Sequence, residues 1–206
     1  RYGIEVPDRQ LCCVPVLSEE GQRYLGAMGA AANFAMANRH LIAEAVRRVF
    51  NVYFPREALR TVWDVSHNLA HLETHRWDGR DRALCVHRKG ATRAFAELPV
   101  LIPGSMGTAS YVLMGTPQAE EMAFASTCHG AGRTMSRSEA MKKTDGKELL
   151  RALSKKGISV MAENPQTLGE EAPQAYKDVS HVVEGVHRAG ISLKVARLRP
   201  VAVIKG

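Results

Sequence analysis

The chain is organised around Cys128-His129-Gly130-Ala131-Gly132-Arg133, which Thr134-Met135-Ser136-Arg137 follows at once. The two glycines allow backbone N–H groups to approach an anion closely and to adopt positive φ. If a helix starts at or near Gly132, its free N–H groups favour a phosphate, and Arg133 and Arg137 share one face. Arginine pairs readily with phosphate oxygens, and histidine can act as metal ligand, proton carrier or nucleophile toward phosphorus. The stretch predicts an anion-binding site; the alternative is a helix N-terminus with a buried histidine and two solvated arginines.

The flanking residues predict short strands and helices. Residues 124–127 are interpreted as a strand that enters the motif, which gives the strand-loop-helix order of an anion site. Ser18 suits a helix N-cap, with Glu19 and Glu20 in the first turn. Periodicity and turn residues predict helices over about 19–50, 147–156 and 178–189, and strands over 84–87, 98–102, 110–114, 158–162 and 195–203. This pattern indicates the α+β class. Because residues 201–204 are strongly apolar, we expect that end of the last strand to be buried and to fix Lys205.

Composition narrows the function classes. The 206 residues are 45% hydrophobic and 24% charged, as in an ordinary globular protein, and the net charge of +7 favours a polyanionic partner. No apolar run approaches the roughly 20 residues of a membrane span. The four cysteines show no C-x-x-C spacing and suit a reducing cytoplasm. The chain opens without Met or a signal peptide, so we interpret it as a fragment of a longer protein.

Two further groups of residues have functional interpretations. His67, His71 and His75 are spaced by four, so on a helix they would share a face suited to a metal ion; the alternative for the last two is a solvated surface. Cations at 88, 89 and 93 surround Gly90 and predict a phosphate-binding turn, with a charged hairpin as the alternative.

Several of these strings together resemble a known family. Four strings stand in the same order as in RtcB-type RNA ligases: Val86-His-Arg-Lys-Gly-Ala-Thr-Arg-Ala94, Pro103-Gly-Ser-Met-Gly-Thr108, His67-Asn68 and the terminal Val203-Ile-Lys-Gly206. The resemblance runs along the whole chain and is to the C-terminal half of such an enzyme. It implies that residues 1–206 are the C-terminal portion of a single catalytic domain. The implied fold is RtcB-like, with mixed sheets flanked by helices, and is incomplete at the N-terminus.

The resemblance implies a reaction and a set of site residues. RtcB ligases join an RNA 3′-phosphate or 2′,3′-cyclic phosphate end to a 5′-hydroxyl end, using GTP and manganese. By resemblance, His129 is the guanylated nucleophile and His67 a manganese ligand. The remaining implied roles fall into two groups: guanine nucleotide contacts at Ser105, Ser110, Ala131, Tyr176 and Lys205, and RNA or GTP phosphate contacts at Lys89, Arg133 and Arg137.

The implied partners are RNA, as tRNA halves or broken RNA, together with GTP and an archease-type activator, in the cytoplasm and without a membrane. One histidine cannot hold two manganese ions, and the family's other ligands lie upstream, so we expect the 206 residues alone to lack ligase activity. Two alternative functions also fit these residues. One is a catalytically incomplete RNA-binding fragment, and the other is a manganese-dependent phosphatase or cyclic phosphodiesterase that uses a phosphohistidine.

Overall fold

The longest element is helix α1, Glu19–Tyr53, which begins where the sequence predicts. Ser18 is its N-cap and accepts a hydrogen bond from the Gly21 N–H at 3.1 Å. Gly21 is buried, and a Cβ there would lie 2.4 Å from the Pro15 carbonyl oxygen, so only glycine fits. The computed structural model describes residues 2–8, 10–66, 68–162, 164 and 167–204.

A long hairpin follows α1. Strands β1, Asn68–Trp77, and β2, Arg80–Lys89, pair antiparallel along their whole length. Asp78 and Gly79 form the turn with φ of 52° and 70°, the left-handed pair that a two-residue hairpin turn requires. The helical expectation for residues 67–75 is therefore wrong over the described part, since His71 and His75 lie on β1. The predicted strand 84–87 is confirmed and is longer at both ends.

The central layer is a three-stranded antiparallel sheet of order β4-β5-β7. Its strands are β4, Pro99–Ile102, β5, Ser110–Gly115, and β7, Ser192–Leu198, and helix α5, Val179–Arg188, belongs to the same core. The largest fully buried side chains of this core include Ile102, Leu113 and Val183.

The predicted strand over 195–203 is displaced. β7 begins at Ser192, three residues early, and ends at Leu198, which pairs with Ser110, the first residue of β5. Beyond Leu198 no β5 residue remains to pair, and Pro200 has no N–H to donate. The expectation that residues 201–204 are buried is wrong, because Val201, Val203 and Ile204 are exposed. Lys205 lies outside the described residues, so its predicted nucleotide contact stays a prediction.

A second, smaller pair of strands carries the central motif. β3, Ala91–Arg93, pairs antiparallel with β6, Ser126–Cys128, and helix α2, Pro117–Ala123, precedes β6. The predicted strand 124–127 starts two residues later, because Phe124 and Ala125 have φ of 48° and 50° and cannot belong to a ladder.

The region after the motif is mostly helical. Helices α3, Arg137–Lys143, and α4, Gly146–Lys155, precede two short 3₁₀ helices, Thr167–Glu171 and Pro173–Ala175. α3 begins five residues after the helix start that the motif predicts near Gly132, whereas α4 and α5 lie within a residue or so of their predicted limits.

Residues 158–162 are not a strand, so that expectation is wrong. Ile158 and Val160 instead pack against a second core built on Leu149, Leu153 and Ala172. The α+β class is confirmed, with small antiparallel sheets flanked by helices. In the described part of the chain, no helix is long and apolar enough to span a bilayer.

Candidate functional site

His129 lies directly after β6, opposite the glycine that ends the β2–β3 connection. Ala91 pairs with Cys128, so the same register places Gly90 across from His129. A Cβ built on Gly90 would lie 3.8 Å from His129 Cδ2 and 3.9 Å from Nε2, so the ring packs over the Gly90 backbone. Gly90 has φ of 74°, which a residue with a side chain adopts only at a cost.

A cavity of about 330 Å³ opens beside His129. Its volume is at the lower end of the range for small-molecule sites, and its walls are mainly apolar, as in most such sites. The other lining residues are Val65, Thr92, Leu101, Ile102, Pro103, Ser110, Tyr111 and Leu198. The structure therefore brings two predicted site residues, His129 and Ser110, to one cavity. A cavity of about 380 Å³ at the end of α1, beside Arg47 and Asn51, contains no predicted site residue.

The polar groups of the cavity differ in their partners. Ser110 Oγ accepts a long hydrogen bond of 3.4 Å from the Gly104 N–H, and the Tyr111 hydroxyl donates to Ser180 Oγ at 3.0 Å. Thr92 Oγ1 is buried and has no hydrogen-bond partner among the described residues. Thr92 was not predicted as a site residue, and no local sequence signal could show that its hydroxyl is unpaired.

Ser105 and Ala131 do not line this cavity. Ser105 lies in the turn after β4, where its carbonyl oxygen accepts hydrogen bonds from the N–H and hydroxyl of Thr108. Ala131 is 6% exposed and belongs to the main core. The nucleotide contacts implied for both residues stay predictions.

Arg133 connects the motif to the second 3₁₀ helix. Its Nη1 donates to the Tyr176 hydroxyl at 2.8 Å, its guanidinium lies 4.8 Å from the Tyr176 ring centroid, and Nη2 donates to the Glu170 carbonyl oxygen at 2.7 Å. The Tyr176 hydroxyl donates to Glu171 Oε2 at 2.7 Å. Burial, and then the Glu171 carboxylate, raises the pKa of Tyr176. Two residues predicted to contact different ligands therefore contact each other.

The helix after the motif begins at Arg137, and the expectation of a start near Gly132 is wrong. Arg133 forms an isolated bridge with Tyr176, the Thr134 N–H donates to Ala175 O at 2.8 Å, and the Lys177 N–H donates to Gly132 O at 3.0 Å. These backbone groups are paired across the loop, so the segment cannot be helical. Arg133 and Arg137 consequently share no helical face. The Arg137 side chain is 71% exposed and lies 3.5 Å from Glu170.

The predicted three-cation turn is only partly present. Arg88 and Arg93 both bind Glu73, at 2.8 Å and 2.7 Å, whereas Lys89 is exposed at the end of β2. Arg88 also donates to Ser126 Oγ at 2.9 Å and to the Phe124 carbonyl oxygen at 2.8 Å. It therefore attaches the hairpin to the segment that leads into His129.

No metal centre is visible in the described ranges, where no group of three His, Cys, Asp or Glu side chains is arranged to hold an ion. His75 Nε2 lies 3.0 Å from Glu73 and its ring stacks on Phe95, so it is a buried structural residue. Burial, with Arg93 next, lowers the pKa of His71. His67, the predicted manganese ligand, lies outside the described residues.

Cys128 precedes His129 and is a packed side chain rather than an activated thiol. Burial raises its pKa, which disfavours the thiolate. All four cysteines are free, and Cys12 and Cys13 are exposed. Neither exposed thiol belongs to a group arranged to hold a metal in the described part of the chain.

The fold and the site together define an α+β protein in which a histidine that follows a short strand borders a ligand-sized cavity. A family model described as tRNA-splicing ligase RtcB matches residues 1–206, and the chain belongs to the RtcB family. The chain is 51% identical over 223 residues to the tRNA-splicing ligase RtcB of Archaeoglobus fulgidus, covering 100% of this chain and 46% of the relative. It is 52% identical over 219 residues to the RNA-splicing ligase RtcB of Mycobacterium tuberculosis, covering 100% and 50%. The chain thus spans half or less of the length of these relatives.

Proposed function

We propose that the complete protein is a GTP- and manganese-dependent RNA ligase that acts in tRNA splicing or RNA repair. It joins 3′-phosphate or 2′,3′-cyclic phosphate ends to 5′-hydroxyl ends through a guanylated His129. The observation that carries this proposal is the position of His129, half-buried beside a cavity of about 330 Å³ in a chain of this family. RNA is the macromolecular partner, and an archease-type activator and a cytoplasmic location belong to the same proposal.

The described residues fit a nucleotide. The apolar walls of the cavity suit a base and sugar, and Ser110 and the buried Thr92 hydroxyl supply hydrogen-bonding groups. They do not fit manganese, because the described ranges hold no cluster of ligands.

His129 can carry out the transfer because neutral imidazole attacks phosphorus without losing a proton first. In the proposed step, a bond forms between a His129 ring nitrogen and the α-phosphorus of GTP, and the bond to the β-phosphate oxygen breaks, releasing pyrophosphate. The guanylyl group then passes to the RNA 3′-phosphate, and the 5′-hydroxyl displaces GMP. The exposed cations Lys89 and Arg137 would offset the negative charge of the RNA and nucleotide phosphates.

Covalent labelling tests the proposal. The complete protein, incubated with manganese and GTP labelled at the α-phosphate, should acquire an acid-labile label that His129→Ala abolishes. His181→Ala is the matched control, because His181 is an exposed histidine on α5 outside the cavity, and it should label as the parent does. A His129→Ala protein that still labels and ligates would disprove the assignment.

The same assay separates the alternatives. RNA that loses its terminal phosphate without added GTP would indicate the phosphatase or phosphodiesterase. RNA binding without labelling or ligation by the complete protein would indicate a non-catalytic RNA-binding protein.

A further inference from the structure

Thr92 holds a buried hydroxyl that the surrounding structure leaves unpaired. The residue is 2% exposed, and Oγ1 has no hydrogen-bond partner among the described residues. Most buried side-chain polar groups have at least one partner, and an unpaired one reduces stability. An unpaired hydroxyl that lowers stability, on a residue that lines a cavity, is a candidate hydrogen-bond donor to a ligand in that cavity.

The register of β3 and β6 relates this hydroxyl to His129. Thr92 pairs with Thr127, and side chains two residues apart on a strand share a face. Gly90 and Thr92, on the β3 side, therefore lie on the same face of this strand pair as Thr127 and His129, on the β6 side. Thr92 is the diagonal neighbour of His129, and both line the cavity.

Thr127, opposite Thr92, shows that the fold can supply a hydrogen-bond partner to a buried hydroxyl in this strand pair. Its Oγ1 lies 2.9 Å from Ser192 Oγ, and both residues are buried. Two threonines thus face each other across the same pair of strands, and the described structure supplies a partner for only one of them. Of these two threonines, only Thr92 lines the cavity.

We propose that the Thr92 hydroxyl donates a hydrogen bond to a phosphoryl oxygen of the nucleotide bound at His129. This inference rests on the proposed function, in which His129 is bonded to phosphorus. Rotation about χ1 exchanges the hydroxyl and methyl groups of threonine, so Oγ1 can turn from its buried position toward the cavity. Thr92 is then a positioning residue that holds the phosphoryl group against the imidazole.

A phosphoryl oxygen is the fitting acceptor because of where Thr92 lies. It neighbours the nucleophile on the same strand face, whereas Leu101, Ile102 and Leu198 offer apolar surface elsewhere in the cavity. A hydroxyl hydrogen bond to a charged oxygen is also stronger than one to a neutral group.

The test compares Thr92→Val, which removes the hydroxyl, with Thr92→Ser, which keeps it. Binding of GMP and of guanosine to the complete protein in manganese buffer is measured by calorimetry. We expect Thr92→Val to raise the Kd for GMP about tenfold, equivalent to about 1.4 kcal/mol, and to leave the Kd for guanosine unchanged. Thr92→Ser should retain most of the GMP affinity.

Melting temperatures without nucleotide supply an independent readout. Because Oγ1 has no partner among the described residues, Thr92→Val should melt at or above the parent temperature. Thr127→Val is the matched control: it breaks the bond to Ser192, so it should melt lower and bind GMP as the parent does.

The outcomes are separable. A parent protein that is not labelled by GTP and binds no GMP would overturn the proposed function and this inference together. A parent that labels, with Thr92→Val binding GMP equally well, would overturn the inference alone. An equal loss of guanosine affinity would place the hydroxyl on the nucleoside instead and overturn the phosphoryl assignment.

Discussion

Glu73 is a buried carboxylate bound by three side chains. Arg88 donates through both Nη atoms at 2.9 Å and 2.8 Å, Arg93 donates through Nε at 2.8 Å, and His75 lies at 3.0 Å. Burial alone would raise the pKa of Glu73, but these hydrogen bonds outweigh it and lower the pKa to about 2. A buried carboxylate that keeps its cationic partners is compatible with a stable fold, whereas loss of the carboxylate or of an arginine leaves an uncompensated buried charge.

The sign of the pH dependence follows from this pKa. The folded-state value lies below the ordinary 4.5, so the contribution of Glu73 is fully present above that pH and is lost as pH falls toward 2. Glu73→Gln should lower the free energy of unfolding by roughly 3 kcal/mol at pH 7. The difference in free energy of unfolding between variant and parent should shrink as pH falls below about 4.5. Urea unfolding measured at several pH values checks this.

Glu184 supplies the control. Hydrogen bonds from Lys194 and Arg188 also lower its pKa to about 2, but its side chain is 37% exposed. Solvent screens such pairs, so Glu184→Gln should change stability far less than Glu73→Gln. Equal effects would show that burial does not distinguish the two carboxylates.

Single residues were predicted from the sequence only where a motif marked them. His129 was predicted from its glycines and arginines, and the structure places it at a cavity with Ser110. Thr92 and Glu73 could not be predicted, because their importance depends on strand register and on which groups find partners, and neither is a local property of the chain.

At the scale of elements, the loop from β6 to α3 uses its two arginines differently. The Arg133 side chain is 24% exposed and bonds across to Tyr176 and Glu170, whereas Arg137 is 71% exposed at the start of α3. The first therefore holds the loop against the 3₁₀ helices, and the second is largely exposed to solvent.

Alanine variants should separate these roles. Arg133→Ala should lower the melting temperature and also weaken RNA binding, since its loop loses three hydrogen bonds. Arg137→Ala should leave the melting temperature nearly unchanged and weaken RNA binding, with a reduced salt dependence. RNA affinity measured at several salt concentrations checks this, and unchanged affinity in Arg137→Ala would make that arginine an ordinary surface residue.

Helices were predicted more accurately than strands for a physical reason. The side chains of Ser18 and Asp178 accept hydrogen bonds from N–H groups in the first turns of α1 and α5. The starts of these helices are therefore determined by residues close in the sequence. Strand limits depend on a partner, as β7 shows by ending where β5 begins to pair. The helical spacing of the histidines was misleading because residues four apart also share a face on a strand.

At the scale of the whole molecule, the accessible surface is large. It measures 15026 Å² for 22.6 kDa, whereas a compact monomer of that mass exposes about 9,500 Å². Helix α1 carries several exposed apolar side chains; Phe34 is 76% exposed and Leu41 67%. Gly26 and Gly29, also on α1, have no neighbour within 4 Å of a built Cβ among the described residues.

Exposed apolar surface of this extent is typical of a binding interface. The 206-residue chain, produced by itself, should therefore bind a hydrophobic dye strongly and associate as its concentration rises. Phe34→Ser with Leu41→Ser should reduce both effects, as measured by dye fluorescence and sedimentation. A monomer that binds no dye would show that α1 folds back onto the rest of the chain.

The unequal environments of the cysteines offer a practical consequence for spectroscopy. Cys12 and Cys13 are exposed, whereas burial raises the pKa of Cys128 beside the candidate nucleophile. A thiol-reactive fluorophore supplied in limited amount at neutral pH should therefore attach to the Cys12–Cys13 pair and spare the thiol next to His129. Replacing one of the pair with serine would leave a single exposed cysteine in the described part of the chain, from which energy transfer to a labelled RNA would report binding of the proposed substrate.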